Sequence, residues 1–126
     1  MNRTALFPGS FDPFTLGHKI VVDQGLELFE RIVIAVGVNT EKRGLLTPEN
    51  RARLIRDLYR NDSRIEVVIY NELTGKVCRQ LGIDTILRGL RNTVDFEYER
   101  NIMQVNQTLF PEIKTVLLFT PARYVA

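Results

Sequence analysis

The chain has 126 residues, 44% of them hydrophobic and 25% charged, which indicates a single soluble domain over residues 1–126. Its net charge of only +2 argues against a dedicated nucleic-acid binder. We expect neither a signal peptide nor a membrane span, because no apolar run reaches about 18 residues. Cys78 is the single cysteine, so no intrachain disulfide can form, and we expect a cytoplasmic protein.

The first predicted strand, residues 4–7, leads into a loop that reads PGSFDPFTLGH over residues 8–18. Gly9 permits a tight turn and a close backbone approach to a ligand, and Ser10 contributes a hydroxyl. The single histidine, His18, falls where the first helix, residues 17–29, begins, and helix N-termini favour phosphate. The loop is neither a Walker-type P-loop nor a G-x-G-x-x-G fingerprint. His18 is therefore a candidate phosphate ligand, with a helix-cap or packing role as the alternative.

The second predicted strand, residues 31–36, precedes a loop in which Lys42 and Arg43 place positive charge beyond the sheet. These two residues either meet an anion or form a solvated pair. The second helix begins with a clear signal, because Thr47 suits the N-cap and Pro48 the first helical position. Its predicted apolar stripe consists of Ile55, Leu58 and Tyr59.

The third predicted strand, residues 65–69, precedes a helix over about residues 73–81 that ends near Gly82. Between them, Asn71 and Glu72 either line a pocket or start the helix. Within this helix, Cys78 is expected to be a buried, inert thiol, because a free cysteine usually packs as a small hydrophobic residue.

The fourth predicted strand, residues 85–87, runs into Arg88 and Arg91 on either side of Gly89 and Leu90. Two arginines at the end of a buried strand are costly unless they meet anions. The fourth strand of a doubly wound sheet often lies beside the first, so both arginines would face Ser10 and His18 across one crevice. Such a crevice suits phosphate chemistry. The alternative is a surface ion-pair role for both arginines.

The fourth predicted helix, over about residues 93–109, precedes the last strand, residues 115–119. Asp95 is well placed near the positive N-terminal end of this helix. Glu99 lies near the same helix face as Phe96 and Met103, so its carboxylate either points into the crevice or is solvated. The pattern alone leaves both possibilities open.

The alternation of five strands and four helices predicts the α/β class, with a single doubly wound, five-stranded parallel sheet and a Rossmann-like arrangement. In such sheets, ligands bind beyond the carboxyl ends of the strands, where the strand order reverses. The loops after the strands are therefore the predicted site.

Four segments carry a resemblance to a known family. They are PGSFDP with TLGH at residues 8–18, Lys42, RGLR at 88–91 and DFEYE at 95–99. With these segments the chain resembles the phosphopantetheine adenylyltransferases, within the wider group of nucleotidyltransferases that carry a Thr- or His-x-x-His motif. The first segment is shared by the wider group, whereas the last two are more specific.

The resemblance implies transfer of the adenylyl group of ATP to 4′-phosphopantetheine, giving dephospho-coenzyme A and pyrophosphate in coenzyme A biosynthesis. It also implies Mg²⁺ as cofactor, no metal-ligating residue in the protein, and a homohexamer. His18 would be catalytic. The implied ATP-binding residues are Ser10, Phe11, His18, Gly89, Leu90, Arg91, Glu99 and Tyr124. The implied substrate-binding residues are Ser10, Lys42, Thr74 and Arg88.

The chain departs from the family pattern at three places. Ser10 stands where the family more often has threonine, which retains the hydroxyl, and Leu16 stands where many members have asparagine. Family members also continue past Tyr124 with a hydroxyl-rich segment that contacts the ATP phosphates, and we expect that segment to lie outside the 126 residues.

Two other functions remain as alternatives. The chain could adenylylate or cytidylylate another phosphate substrate, such as nicotinate mononucleotide or glycerol phosphate, although the RGLR and DFEYE segments argue against this. It could also be a non-catalytic nucleotide-binding module. Pyrophosphate release with each acceptor distinguishes these possibilities.

Overall fold

Strands and helices alternate along the chain in the computed structural model, which describes residues 3–38 and 44–120. The strands are β1 (Thr4–Gly9), β2 (Arg31–Gly37), β3 (Ile65–Tyr70), β4 (Thr85–Leu90) and β5 (Lys114–Phe119). The helices are α1 (Leu16–Leu28), α2 (Pro48–Leu58), α3 (Thr74–Leu81) and α4 (Thr93–Leu109). No helix in these ranges is both long and apolar enough to cross a membrane.

The five strands form one parallel sheet in the order β3-β2-β1-β4-β5, which confirms the predicted doubly wound α/β fold. The strand order reverses between β1 and β4, so these two strands flank the switch point. Their register consists of the single pair Leu6 and Ile86. Pro8 has no N–H and cannot continue the ladder as a donor. The Pro8 carbonyl oxygen can still accept, and Arg88 donates a hydrogen bond to it from Nη1.

The core has two layers, one on each face of the sheet. Successive residues of a strand point to opposite faces, so Phe7 packs into one layer and Leu6 into the other. The first layer includes residues of α1 and α2, such as Val22 and Ile55. The second includes α3, where Cys78 is fully buried and burial raises the pKa of its thiol to about 11. The prediction that this thiol is buried is therefore confirmed, and its inertness stays a prediction.

Most of the predicted element ends agree with the structure. The Thr47 side chain caps α2, Pro48 is its first residue, and Gly82 ends α3 in the left-handed conformation. The first helix begins one residue earlier than predicted, because Thr15 is its N-cap. Strands β1 and β4 are longer than their apolar runs, since pairing with β2 and β5 continues through Gly9 and Leu90.

The predicted apolar stripe of α2 is wrong at one residue. Ile55 is buried and Tyr59 packs against the core, as predicted, but the Leu58 side chain is 52% exposed. The buried residues of the helix are Arg51, Ala52 and Ile55. Arg51 lies one helical turn before Ile55, so a charged side chain occupies the inward face of α2.

Candidate active site between β1 and β4

The loop after β1 turns sharply and presents Ser10 to solvent. Phe11 adopts a left-handed conformation with φ of 52°, and its ring is buried beneath the loop. A Cβ atom at position 9 would lie 2.9 Å from the Phe11 ring, so the turn requires glycine there. The buried ring thus anchors the loop and leaves the exposed Ser10 at the edge of the crevice.

His18 lies in the first turn of α1 and forms a capping box with Thr15. The His18 N–H donates to Thr15 Oγ1 at 3.4 Å, and the Thr15 N–H donates to His18 Nδ1 at 2.9 Å. The cap interpretation of His18 is therefore confirmed, and it does not exclude a role in phosphate binding. Because Nδ1 accepts a hydrogen bond, the neutral ring carries its proton on Nε2, where it can be donated to a ligand.

The surroundings of the His18 ring disfavour its protonation. The ring centroid lies 4.9 Å from that of Phe11 and 5.3 Å from that of Phe14. Burial, followed by the positive charges of Arg88 and Arg91, lowers the pKa of His18 to about 4. The imidazole is therefore neutral near pH 7 and acts as a hydrogen-bond donor rather than a cation.

We expect the His18 imidazole of the ligand-free protein to titrate with a pKa of about 4. NMR can follow this titration directly, because the chain has one histidine. The denatured chain is the control and should titrate near 6.5. Since the unfolded state binds the proton more readily, acidification from pH 6.5 towards 4 should also destabilise the fold. A pKa at or above 6.5 in the folded protein would contradict the described environment.

Arg88 and Glu99 form an ion pair in the crevice wall. Arg88 Nη2 donates to Glu99 Oε1 at 2.7 Å, and Arg88 Nε lies 3.0 Å from both carboxylate oxygens. The Glu99 side chain is 7% exposed and that of Arg88 is 26% exposed. Glu99 is thus not a solvated helix carboxylate. It orients Arg88 and balances its charge, whereas a direct contact of Glu99 with ATP stays a prediction.

Arg91 pairs with Asp95 at the start of α4. Arg91 Nε donates to Asp95 Oδ2 at 2.8 Å, and the Arg91 N–H donates to the same oxygen at 3.1 Å. The hydrogen bond from the Arg91 side chain lowers the pKa of the Asp95 carboxyl. Both predicted arginines therefore make ion pairs, as the alternative interpretation proposed, and both also line the crevice.

Two adjoining cavities occupy this crevice. The smaller has a volume of about 550 Å³ and contacts the N-terminal end of α1 at Gly17 and His18. The larger has a volume of about 1310 Å³ and extends to Thr74 on α3. Ser10 and Arg88 line both cavities, so two ligands bound side by side would meet at these residues.

The structure brings most of the predicted site residues together. Those that line the smaller cavity are Ser10, Phe11, His18, Arg88, Gly89, Arg91 and Glu99. Those that line the larger are Ser10, Thr74, Arg88 and Glu99. Leu90 lines neither cavity, and its carbonyl accepts the Thr120 N–H at 2.8 Å. Lys42 and Tyr124 lie outside the described residues.

Sequence reasoning missed two charged residues beside the larger cavity. Asp12, in the loop after β1, accepts hydrogen bonds from the backbone N–H groups of Leu45 and Leu46. Arg51 donates to backbone carbonyls and is 7% exposed. The signal that could have revealed Arg51 is its position one turn before Ile55, where a charged residue interrupts the apolar face of a helix.

Comparison with known proteins decides the family. The model of the cytidylyltransferase-like family matches residues 6–124. The phosphopantetheine adenylyltransferase of Flavobacterium psychrophilum is 45% identical over 120 residues, which cover 95% of this chain and 79% of that protein. The enzyme of the same name from Lactobacillus johnsonii is 46% identical over 117 residues, covering 92% of this chain and 70% of that protein. The chain belongs to the phosphopantetheine adenylyltransferase family. It is therefore an enzyme of the nucleotidyltransferase class.

Solved structures of more distant proteins share the fold of this family member. A lipopolysaccharide core biosynthesis protein from Thermoplasma volcanium aligns with a TM-score of 0.66 at 19% identity, over 94% of this chain and 96% of that one. A bifunctional NMN adenylyltransferase/ADP ribose pyrophosphatase from Francisella tularensis aligns with a TM-score of 0.67 at 14% identity, over 94% of this chain and 38% of that one. At these identities the likeness supports the Rossmann-like fold alone.

Proposed function

We propose that the chain catalyses adenylyl transfer from ATP to 4′-phosphopantetheine, forming dephospho-coenzyme A and pyrophosphate in coenzyme A biosynthesis. The observation that carries this proposal is the pair of adjoining cavities that share Ser10 and Arg88. A transfer between two substrates needs both to be bound at once with their reacting groups in contact. Family membership supports the choice of substrates.

ATP is assigned to the smaller cavity. The N-terminal end of α1 contributes free N–H groups and a partial positive charge, which favour phosphate. Arg91 adds a cation to the lining of this cavity, and His18, in the first turn of α1, has its Nε2 proton available. A volume of about 550 Å³ is in the usual range for a small-molecule site.

Phosphopantetheine is assigned to the larger cavity, with its phosphate at Arg88. The Arg88 side chain is 26% exposed and lines the cavity, so it can contact an anion while Glu99 holds it in place. Thr74 lies at the far side, where the Tyr70 and Thr74 hydroxyl oxygens are 3.3 Å apart. These hydroxyls suit the amide groups of the pantetheine arm. Lys42 is proposed to assist at the phosphate.

The proposed reaction is a direct displacement at the α-phosphorus of ATP. A phosphate oxygen of the acceptor forms the new P–O bond, the bond between the α- and β-phosphates breaks, and pyrophosphate leaves with the electron pair. No enzyme nucleophile is required. His18 and Arg91 stabilise the charge that develops on the phosphoryl oxygens, and the two cavities supply alignment.

Mg²⁺ is proposed to enter with ATP rather than to occupy a site made by the protein. In the described ranges 3–38 and 44–120, no group of three or more metal-ligating side chains occurs. The carboxylates nearest the crevice already accept hydrogen bonds, with Glu99 on Arg88, Asp95 on Arg91 and Asp12 on backbone N–H groups. Mg²⁺ commonly retains water ligands and binds through substrate phosphates, which fits this arrangement.

A comparison of acceptors tests the proposed substrate. With Mg²⁺ and ATP, we expect pyrophosphate release and dephospho-coenzyme A formation with 4′-phosphopantetheine. Pantetheine, which has no phosphate nucleophile, is the matched control and should give neither product. Equal or faster turnover of nicotinate mononucleotide would favour a transferase that acts on another phosphate substrate. ATP binding without pyrophosphate release would favour a non-catalytic nucleotide-binding module.

Self-association and a cytoplasmic location are proposed alongside this activity. Helix α4 also exposes large apolar side chains that line neither cavity, including Phe96 at 45% and Leu109 at 49%. Burying them against other copies of the chain would remove this surface from water. We propose the homohexamer that the family resemblance implies, and light scattering should give six times the 14.5 kDa chain mass. The free Cys78 thiol suits the reducing cytoplasm.

A further inference from the structure

Arg51 and Asp12 form a charged pair in the lining of the larger cavity, and together they connect three segments of the chain. Arg51 on α2 donates Nη1 to the Ser10 carbonyl oxygen at 3.0 Å and to the Gly37 carbonyl oxygen at 3.3 Å. Its Nε donates to the Leu46 carbonyl oxygen at 2.9 Å. The same guanidinium therefore contacts the loop after β1, the end of β2 and the residues that lead into α2.

Asp12, in the loop after β1, also contacts the residues that lead into α2. Its carboxylate oxygens accept the N–H groups of Leu45 and Leu46 at 2.8 and 2.9 Å, and one of them lies 3.9 Å from Arg51 Nε. A Cβ atom at Gly44 would lie 1.8 Å from the Asp12 carboxylate, so the chain passes directly against this group. Asp12 and Arg51 thus bind the chain around Gly44 to the loop that presents Ser10.

Burying these two charged side chains destabilises the folded state unless their contacts compensate for the lost hydration. The Arg51 side chain is 7% exposed and that of Asp12 is 14% exposed. Removing a guanidinium from water costs several kcal/mol, which its hydrogen bonds must offset. A hydrophobic residue facing the core at position 51 would avoid this cost. A planar guanidinium has five N–H donors in a fixed geometry, so it can donate to carbonyls of three different segments from one position.

We propose that Arg51, together with Asp12, is a positioning residue that holds the Ser10 peptide in place for adenylyl transfer. The inference rests on the proposed function, because Ser10 lines both cavities where the two substrates would meet. Holding the Ser10 carbonyl oxygen fixes the plane of the Ser10–Phe11 peptide group, immediately before the left-handed conformation at Phe11. The Ser10 hydroxyl and the Phe11 N–H then keep a constant direction relative to the phosphates.

The test compares Arg51→Lys with Arg56→Lys. Arg56 lies on the same helix and donates Nη2 to the Val67 carbonyl oxygen at 2.9 Å, but it lines neither cavity. Lysine retains the charge in both variants, but at position 51 it disrupts contacts with three carbonyls and at position 56 a contact with one. We expect Arg51→Lys to lower kcat about tenfold to 100-fold, with KM for either substrate changed less than about threefold. Arg56→Lys should leave kcat unchanged.

A double-mutant cycle shows whether Arg51 acts through Ser10. In the Ser10→Ala background, Arg51→Lys should lower kcat by a clearly smaller factor than it does in the wild type, because the hydroxyl it positions is already absent. Thermal melting of each variant confirms that folded protein is compared, and Asp12→Asn provides a second perturbation of the same contacts. An Arg51→Lys enzyme with wild-type kcat would overturn the inference. So would a double mutant whose fold-loss in kcat equals the product of the fold-losses in the two single mutants. Failure of the wild type itself in this assay would instead contradict the proposed function.

Discussion

Replacing His18 by glutamine is expected to lower kcat about 10²- to 10³-fold while leaving the affinity for ATP nearly unchanged. The physical reason is that the neutral imidazole donates from Nε2 to charge that grows only in the transition state. An interaction made only there accelerates the reaction without tightening substrate binding. Calorimetry measures the affinity and pyrophosphate release measures kcat.

Glutamine is chosen because His18 also caps α1. A glutamine side chain in the same helical position can accept the Thr15 N–H that Nδ1 accepts in the wild type, so the capping box is retained. His18→Ala is the matched variant that loses both roles, and it should melt at a lower temperature than His18→Gln. If His18→Gln turns over at nearly the wild-type rate, His18 is a cap and the assigned chemistry is wrong.

Replacing Arg88 by methionine is expected to impair both stability and turnover. It leaves the Glu99 carboxylate buried without its partner, and breaking a buried ion pair in this way costs about 3–5 kcal/mol. We expect a value near the lower end, because Arg88 is 26% exposed. The variant also loses the cation assigned to the acceptor phosphate, so kcat/KM for phosphopantetheine should fall about 10²-fold or more. Denaturant unfolding and steady-state kinetics measure the two effects.

The double variant Arg88→Met with Glu99→Met separates these effects. Exchanging a buried ion pair for apolar side chains of similar size is often close to neutral for stability, so much of the lost stability should return. Turnover should not return, because the Arg88 cation assigned to the acceptor phosphate is still absent. A double variant that regains both stability and activity would show that Arg88 acts only on the fold.

The architecture could be predicted from the sequence because the patterns that specify it are local along the chain. Short apolar runs separated by helical patterns specify a parallel α/β sheet, and Thr47-Pro48 and Gly82 mark helix ends by chemistry that acts within one turn. The strand ends were harder to predict. Pro8 and Arg88 do not belong to an apolar run, yet both lie within strands because neighbouring strands pair with them.

The site was predictable only in part for a related reason. Ser10, His18, Arg88 and Arg91 follow or end strands, so general rules for α/β sheets direct attention to them. Arg51 lies within a helix, and its contacts with Ser10 and Gly37 are 41 and 14 residues away along the chain. Nothing in the local pattern reveals these partners. The pairing of Arg88 with Glu99 likewise depends on how α4 approaches β4 in three dimensions.

The central claim is that a phosphate oxygen of the acceptor attacks the α-phosphorus of ATP, and an isotope experiment tests it most directly. The chain is supplied with ATP, Mg²⁺ and 4′-phosphopantetheine whose phosphate oxygens carry ¹⁸O. A phosphate oxygen of the acceptor should become the bridge in dephospho-coenzyme A, so the phosphorus derived from ATP should show an ¹⁸O isotope shift by NMR, while pyrophosphate contains no label. Dephospho-coenzyme A without ¹⁸O in that bridge, label in pyrophosphate, or no dephospho-coenzyme A at all would contradict the account.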